Sequence, residues 1–409
     1  MDVSTPSTNA TSNVHTTPSR TAFIPALTGI RFFAVFHIFL YHLWVLYSMQ
    51  KPKGYEMLMA DFGSLPSVLI TFFSHGYFST SFFFMLSGFI LSYLYWGKNG
   101  ELCMPKKQFW FLRFARVYPI HIIIMLITIT LMWGMMAEHN GSLAVTLLSA
   151  LATLTLVQAW IPAWVPMWSW PTWAISALVF LYLIMPWLMH WLGQCSRKTQ
   201  MILLALMPII SLIPTIIFAL ITPAGVDLKQ SASIFLGSTP LFWVAHFVAG
   251  MLLCKLFELS RFNGNNQNST MRSPSPSASL WAWGDLALVA VITIACVVEA
   301  PEPFKYFLRH GLLMPLFMVI IVDLARGRGL AARLFALRLP VFLGETAFSI
   351  FIWQNLIMVF CWMSIRINPE YGDKNTLFAV VGMMLVALIS TFLIEKPLAK
   401  KMRKSLLRV

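Results

Sequence analysis

Apolar runs that reach or approach the roughly 20 residues needed to cross a bilayer recur along the whole chain, and they limit its fold more than any motif does. They fall at 25–47, 68–95, 118–136, 143–160, 173–192, 201–222, 240–257, 280–298, 310–325, 341–363 and 377–394. The runs are continuous rather than alternating, which excludes a transmembrane β-barrel. The chain is 58% hydrophobic and only 11% charged, whereas a soluble domain carries about 25% charged residues. The fold expected is an all-α polytopic membrane protein.

Basic residues order these segments across the membrane. The connection 96–117 holds Lys98, Lys106, Lys107, Arg113 and Arg116, and 326–339 holds Arg326, Arg328, Arg333 and Arg338. Arg197 and Lys198, Arg261 and Arg272, and the tail from Lys396 to Arg408 add to the same pattern. Such loops belong on the cytoplasmic side. They all reach it if 143–160 does not fully cross. About ten transmembrane helices are therefore predicted, with both termini cytoplasmic and 143–170 as a re-entrant or interfacial element. The stretch Trp160–Trp170, with its tryptophans and prolines and no charge, suits a membrane interface. Residues 1–20 read as a disordered cytoplasmic N-terminus without the pattern of a cleaved signal peptide. Residues 21–397 read as one membrane domain, interrupted by a flexible cytoplasmic linker at 263–279, and 398–409 as a basic cytoplasmic tail. The net charge of +14 is explained by orienting loops, so the partner it implies is the lipid bilayer and not nucleic acid. The five scattered cysteines suggest neither a metal site nor a disulfide framework.

The first segment is unusual in its polar content. Thr28–Trp44 reads TGIRFFAVFHIFLYHLW, with one arginine and two histidines at membrane depth. Ionisable side chains there are costly and mark functional sites. Arg31 and His42 are eleven positions apart, about three full helical turns, so they share a face and are separated by about 16 Å along the axis. His37 points about 140° away from His42. The plainer alternative is a snorkelling arginine and a histidine bonded between helices.

Further candidates follow along the chain. Ser87-Gly88 offers a small-residue contact between helices or a close approach for a ligand. Arg113 and Arg116 share a helix face, just before Tyr118-Pro119, and present planar donor forks suited to phosphate. A positive-inside anchor would use the same pair. Trp173 and Ser176 lead to Tyr182, Leu343-Gly344-Glu345 opens a late segment that continues to Gln354, and Glu395-Lys396-Pro397 closes the last. Glu395 beside a basic tail also suits a plain surface ion pair.

Taken together and in order, these segments resemble the membrane-bound acyltransferase family 3, the O-acyltransferases of bacterial surface glycans and some macrolides. The resemblance covers Leu27 to Lys400. It rests on the Arg31-x10-His42 pair, the 82–89 stretch FFFMLSGF, Arg113-x-x-Arg116-x-Tyr-Pro, Trp173/Ser176/Tyr182, Leu343-Gly344 and Glu395-x-Pro397. The chain departs from the family pattern at Thr28 and Leu178, where acids are usual, and at Gln354, where a histidine is usual.

The resemblance implies transfer of an acyl group from cytoplasmic acyl-CoA, with acetyl-CoA the expected donor and no tightly bound cofactor. The acceptor it implies is a hydroxyl of a glycan, glycolipid or small glycosylated molecule, in a bacterial inner membrane. A hydroxyl needs a base during attack, and an imidazole suits neutral pH. His42 and Arg31 are the expected catalytic residues, His42 as the base and Arg31 beneath it on the same face. Arg113, Arg116 and Tyr118 are expected at the CoA, and Trp173, Ser176, Ser87 and Glu345 at the substrate. Tyr118, Trp173 and Ser176 are also the candidates for stabilising the oxyanion. The rival is a secondary transporter or exporter, which also uses intramembrane Arg and His, but no inverted repeat is visible in the sequence.

Overall fold

The computed structural model describes residues 23–49, 66–97, 100–221, 230–262, 282–301, 304–367 and 372–406. The expected N-terminal tail at 1–20, the linker at 263–279 and the last three residues of the basic tail lie outside them. The structure is helical: α1 Pro25–Met49, α2 Ser67–Ser74, α3 Tyr77–Tyr95, α4 Lys106–Asn140, α5 Leu143–Leu154, α6 Trp173–Gln194, α7 Arg197–Ile221 and α8 Gln230–Ser238. There follow α9 Val244–Phe262, α10 Trp283–Val297, α11 Met314–Arg326, α12 Gly329–Phe335, α13 Arg338–Glu345, α14 Ala347–Ile367, α15 Gly372–Ile389 and α16 Lys396–Leu406. Among the described residues, nine helices are long and apolar enough to cross a membrane. The protein is an all-α polytopic membrane protein.

Three segments differ in detail from what hydropathy alone suggests. The run 68–95 is two helices, broken at His75-Gly76. A Cβ on Gly76 would lie 2.3 Å from the His37 carbonyl oxygen, so the break sits where the chain presses on α1. The run 280–298 yields α10, only 15 residues, or about 22 Å of helix against a hydrocarbon core of about 30 Å. This is why nine long helices, and not ten, are found. The run 143–160 yields the 12-residue α5 followed by 3-10 turns at Gln158–Trp160, Pro162–Trp164 and Trp170–Thr172. Gln158, Ala159, Val165, Trp168 and Ser169 in this stretch are buried. Irregular backbone at membrane depth requires such packing on protein.

Small residues bring the helices together where the site is built. Gly88 on α3 and Gly250 on α9 face each other's backbones. A Cβ on Gly88 would lie 2.1 Å from Phe247 O, and one on Gly250 would lie 1.9 Å from Met85 O. Ser87-Gly88 thus serves helix packing, the common use of small residues in membranes. Gly344, at the end of α13, sits against Thr28 of α1, where a Cβ would come within 1.9 Å of the carbonyl oxygen. That contact pins the start of α14 beside the start of α1. The two helices then run side by side in the same direction.

Candidate active site

A cavity of about 400 Å³ opens where α1, α3, α4, α6, α14 and α16 converge. Arg31, Arg113 and Arg116 all line it, with Ser87, Tyr182, Glu345, Glu395 and Lys396. Arg113 and Arg116 lie in the first three turns of α4, which begins twelve residues before the apolar run does because its opening turns are basic. The Arg113 Nη2 donates to the Tyr95 hydroxyl at 2.5 Å, and the Arg116 guanidinium lies 5.9 Å from the Phe348 ring centre. Glu345 is taken by Lys396, and Glu395 accepts the Ser349 hydroxyl. Among the described residues no carboxylate forms an ion pair with any of the three arginines. Arg31 and Arg113 each keep a buried Nε–H without a hydrogen-bond partner among those residues. Two of the positions where an acid is usual, Thr28 and Leu178, also line this cavity, so both departures leave it more cationic.

His42 lies at the other end of the α1–α14 seam. Ala347, Phe348 and Phe351 of α14 line the cavity. Three positions on, Gln354 Oε1 accepts from His42 Nδ1 at 3.1 Å. The hydrogen bond at one ring nitrogen fixes the tautomer at the other. With the proton on Nδ1, the Nε2 lone pair is the free one. The residue that departs from the family's usual histidine is therefore the partner that orients His42.

The remaining candidates are distributed unevenly. Ser87 and Glu345 line the arginine cavity. Tyr118 does not: its hydroxyl donates to Leu154 O at 3.0 Å, tying α4 to the end of α5. Ser176 is buried and donates to Leu156 O at 2.5 Å, where Leu156 holds a left-handed backbone with φ 60°. Trp173 belongs to the His42 end, in an aromatic group with Phe84 and Trp243 at 6.1 and 5.4 Å between ring centres. His37 is spent on packing: its two nitrogens bond Ser79 Oγ at 2.9 Å and Phe72 O at 2.7 Å, and its ring stacks on Phe72.

One residue at the His42 end was not singled out by the sequence. Arg309 sits 5.3 Å from the ring centres of both Trp173 and Trp243, and its charge acts on His42. It lies one residue outside the apolar run 310–325. The signal that would have found it is the general one for an ionisable group at membrane depth.

A family model described as an acyltransferase domain, acyltransferase 3, matches residues 24–396. The chain belongs to the acyltransferase-3 family. It is also similar to the acyltransferase MdmB of Streptomyces mycarofaciens, at 28% identity over 161 residues, which cover 39% of this chain and 37% of that protein. The match thus spans little over a third of the relative's length. No solved structure matches the chain.

Proposed function

We propose that the protein is a membrane-bound O-acyltransferase that takes an acyl group from cytoplasmic acyl-CoA, acetyl-CoA first, and passes it to a hydroxyl of a glycan, glycolipid or small glycosylated molecule. The observation that carries this reading is the seam between α1 and α14. It has three arginines at one end, none in an ion pair with a carboxylate among the described residues, and at the other a histidine bonded to Gln354. The arginines suit the CoA phosphates, because each guanidinium presents a planar fork of donors. Arg31 and His42 are about 16 Å apart along α1, so the donor's thioester arm would run along the seam. His42 Nε2 then takes the proton of the attacking hydroxyl.

Sidedness belongs to the same proposal. With the basic connections cytoplasmic, the arginine cavity faces the cytoplasm and His42 lies nearer the outer face of a bacterial inner membrane. Both termini are then cytoplasmic, with the short α10 as the tenth crossing that an even count requires. Cysteine labelling on a cysteine-free background should find 223–239 and 364–376 outside; labelling of 326–339 from outside would overturn the arrangement.

The reaction is tested by incubating the purified protein with labelled acetyl-CoA and longer acyl-CoAs against a panel of alkyl glycosides. The expected result is acceptor-dependent CoA release and a labelled ester. If none of the pairs releases CoA while the reconstituted protein moves an unmodified glycoside across a vesicle, the transporter reading replaces this one.

A further inference from the structure

Arg309 is held in place by more structure than a chance surface cation would have. It lies in a π-helical turn, Leu308–Leu312, within the membrane-spanning stretch Phe304–Arg326. Turns of this kind disturb the regular backbone ladder and are frequent at functional sites. Here Ser81 of α3 donates its hydroxyl to the Arg309 carbonyl. Nη2 donates to Gly237 O at 3.0 Å. A Cβ on Gly237 would lie 2.6 Å from Nη1, so a side chain there would push the guanidinium from this position. Trp173 and Trp243 support its charge from their ring faces.

What Arg309 lacks is an anion. No carboxylate forms an ion pair with it among the described residues, and its buried Nε–H has no hydrogen-bond partner there. The titratable groups that interact with its charge are Tyr41, Tyr77 and Tyr306 and His42, His246 and His310, none of which is an anion at neutral pH. Tyr41 precedes His42 on α1 and packs on Tyr77, one turn before Ser81, with 5.8 Å between ring centres. Arg309 and His42 therefore flank the same turn of α3. A cation kept at membrane depth without a counter-charge is costly, and the cost is offset when an anion forms beside it.

Resting on the acyltransferase reading above, we propose that Arg309 is a catalytic residue that holds the oxyanion formed when the acceptor hydroxyl attacks the thioester. In that step the hydroxyl oxygen bonds to the acyl carbon, the carbonyl pair moves onto its oxygen beside the Arg309 N–H groups, and His42 takes the hydroxyl proton. On collapse the pair returns, the C–S bond breaks, and the CoA thiolate leaves with the proton from His42. Donors aimed at the charge that develops contribute in the transition state and not in the ground state.

The test is steady-state kinetics of Arg309→Met and Arg309→Lys with acetyl-CoA and an alkyl glycoside that the parent acetylates. Loss of one oxyanion donor typically lowers turnover about 10²- to 10³-fold. Arg309→Met should show a fall of that order in kcat with the KM for both substrates little changed. Arg309→Lys should recover part of it, and added methylguanidine should raise the rate of Arg309→Ala but not of the parent. Gly237→Ala, which pushes on the guanidinium without removing it, should also lower kcat if Arg309→Met does not fold. A loss confined to acceptor KM would make Arg309 an acceptor-binding group and overturn the proposal, as would near-parental kcat in Arg309→Met or in Gly237→Ala. A parent that releases no CoA with any acceptor refutes the acyltransferase reading itself, a different result from a normal parent with an unaffected variant.

Discussion

The two ends of the α1–α14 seam are made of different chemistry. At one end Arg31, Arg113 and Arg116 come from two helices and surround open volume. At the other, His42, Gln354 and Arg309 come from three separate stretches and are packed among tryptophans and tyrosines. The first arrangement suits a large, highly charged ligand, since several long cations can adapt to phosphates at little cost in precision. The second suits a reacting centre, where each group is held by a neighbour: His42 by Gln354, and Arg309 by Gly237 and two indole rings. Under the proposed function, binding and chemistry are separated along one helix pair, so variants at the two ends should change different kinetic constants.

The largest expected effect is at the histidine. His42→Ala should lower kcat by about 10²- to 10⁴-fold, the usual worth of a general base, and leave the KM for acetyl-CoA within a few-fold. Its residual rate should also lose the parent's acid limb. A base must be deprotonated to act, so the parent rate falls as pH drops through the titration of that group, and CoA release measured across pH checks this. Next comes the arginine pair. Each charge-assisted hydrogen bond contributes about 1.5–3 kcal/mol, so Arg113→Gln with Arg116→Gln should raise the acetyl-CoA KM by at least about 10²-fold with kcat retained at saturation. Lysine at both positions should restore only part, because it lacks the planar fork. If the double variant keeps the parental KM, the pair is a topological anchor.

A smaller effect should follow at Gln354. Gln354→Leu removes the group that orients the His42 ring, and kcat should fall about fivefold, a neutral hydrogen bond contributing about 1 kcal/mol. Unchanged turnover would show that His42 is oriented by something else. The least effect on chemistry is expected for His37→Ala, whose loss of two hydrogen bonds should lower thermal stability by about 1–3 kcal/mol while the folded protein keeps turnover within about threefold.

Much of this seam was legible in the sequence, and the reasons differ by residue. The Arg31–His42 pair lies within one helix, where spacing alone fixes the shared face. Arg113 and Arg116 were legible for the same reason, although the hydropathy run missed the opening turns of α4. The partner of His42 was not legible from spacing, because Gln354 is 312 positions away and only the packing of Gly344 on Thr28 brings the two helices into register. Tyr118 and Ser176 stand in motifs, but their hydroxyls satisfy backbone carbonyls around the irregular stretch after α5, a need no periodicity reveals. Arg309 depends on a π turn, a glycine and two tryptophans drawn from other helices, so nothing near it in the chain announces its role. The helix count was set by length: α10 is apolar but ends four residues before Pro301.

The separation of binding from chemistry is tested most directly by pairing two variants on two readouts. A thioether analogue of acetyl-CoA, which binds but cannot transfer, is titrated into His42→Ala and into the Arg113→Gln, Arg116→Gln double variant, and CoA release from acetyl-CoA is measured on the same preparations. The account predicts a crossed result: His42→Ala binds the analogue as the parent does and turns over at least about a hundredfold more slowly, while the double variant binds it poorly and approaches parental kcat when saturated. Near-parental turnover by His42→Ala, or equal loss of binding in both variants, would contradict it.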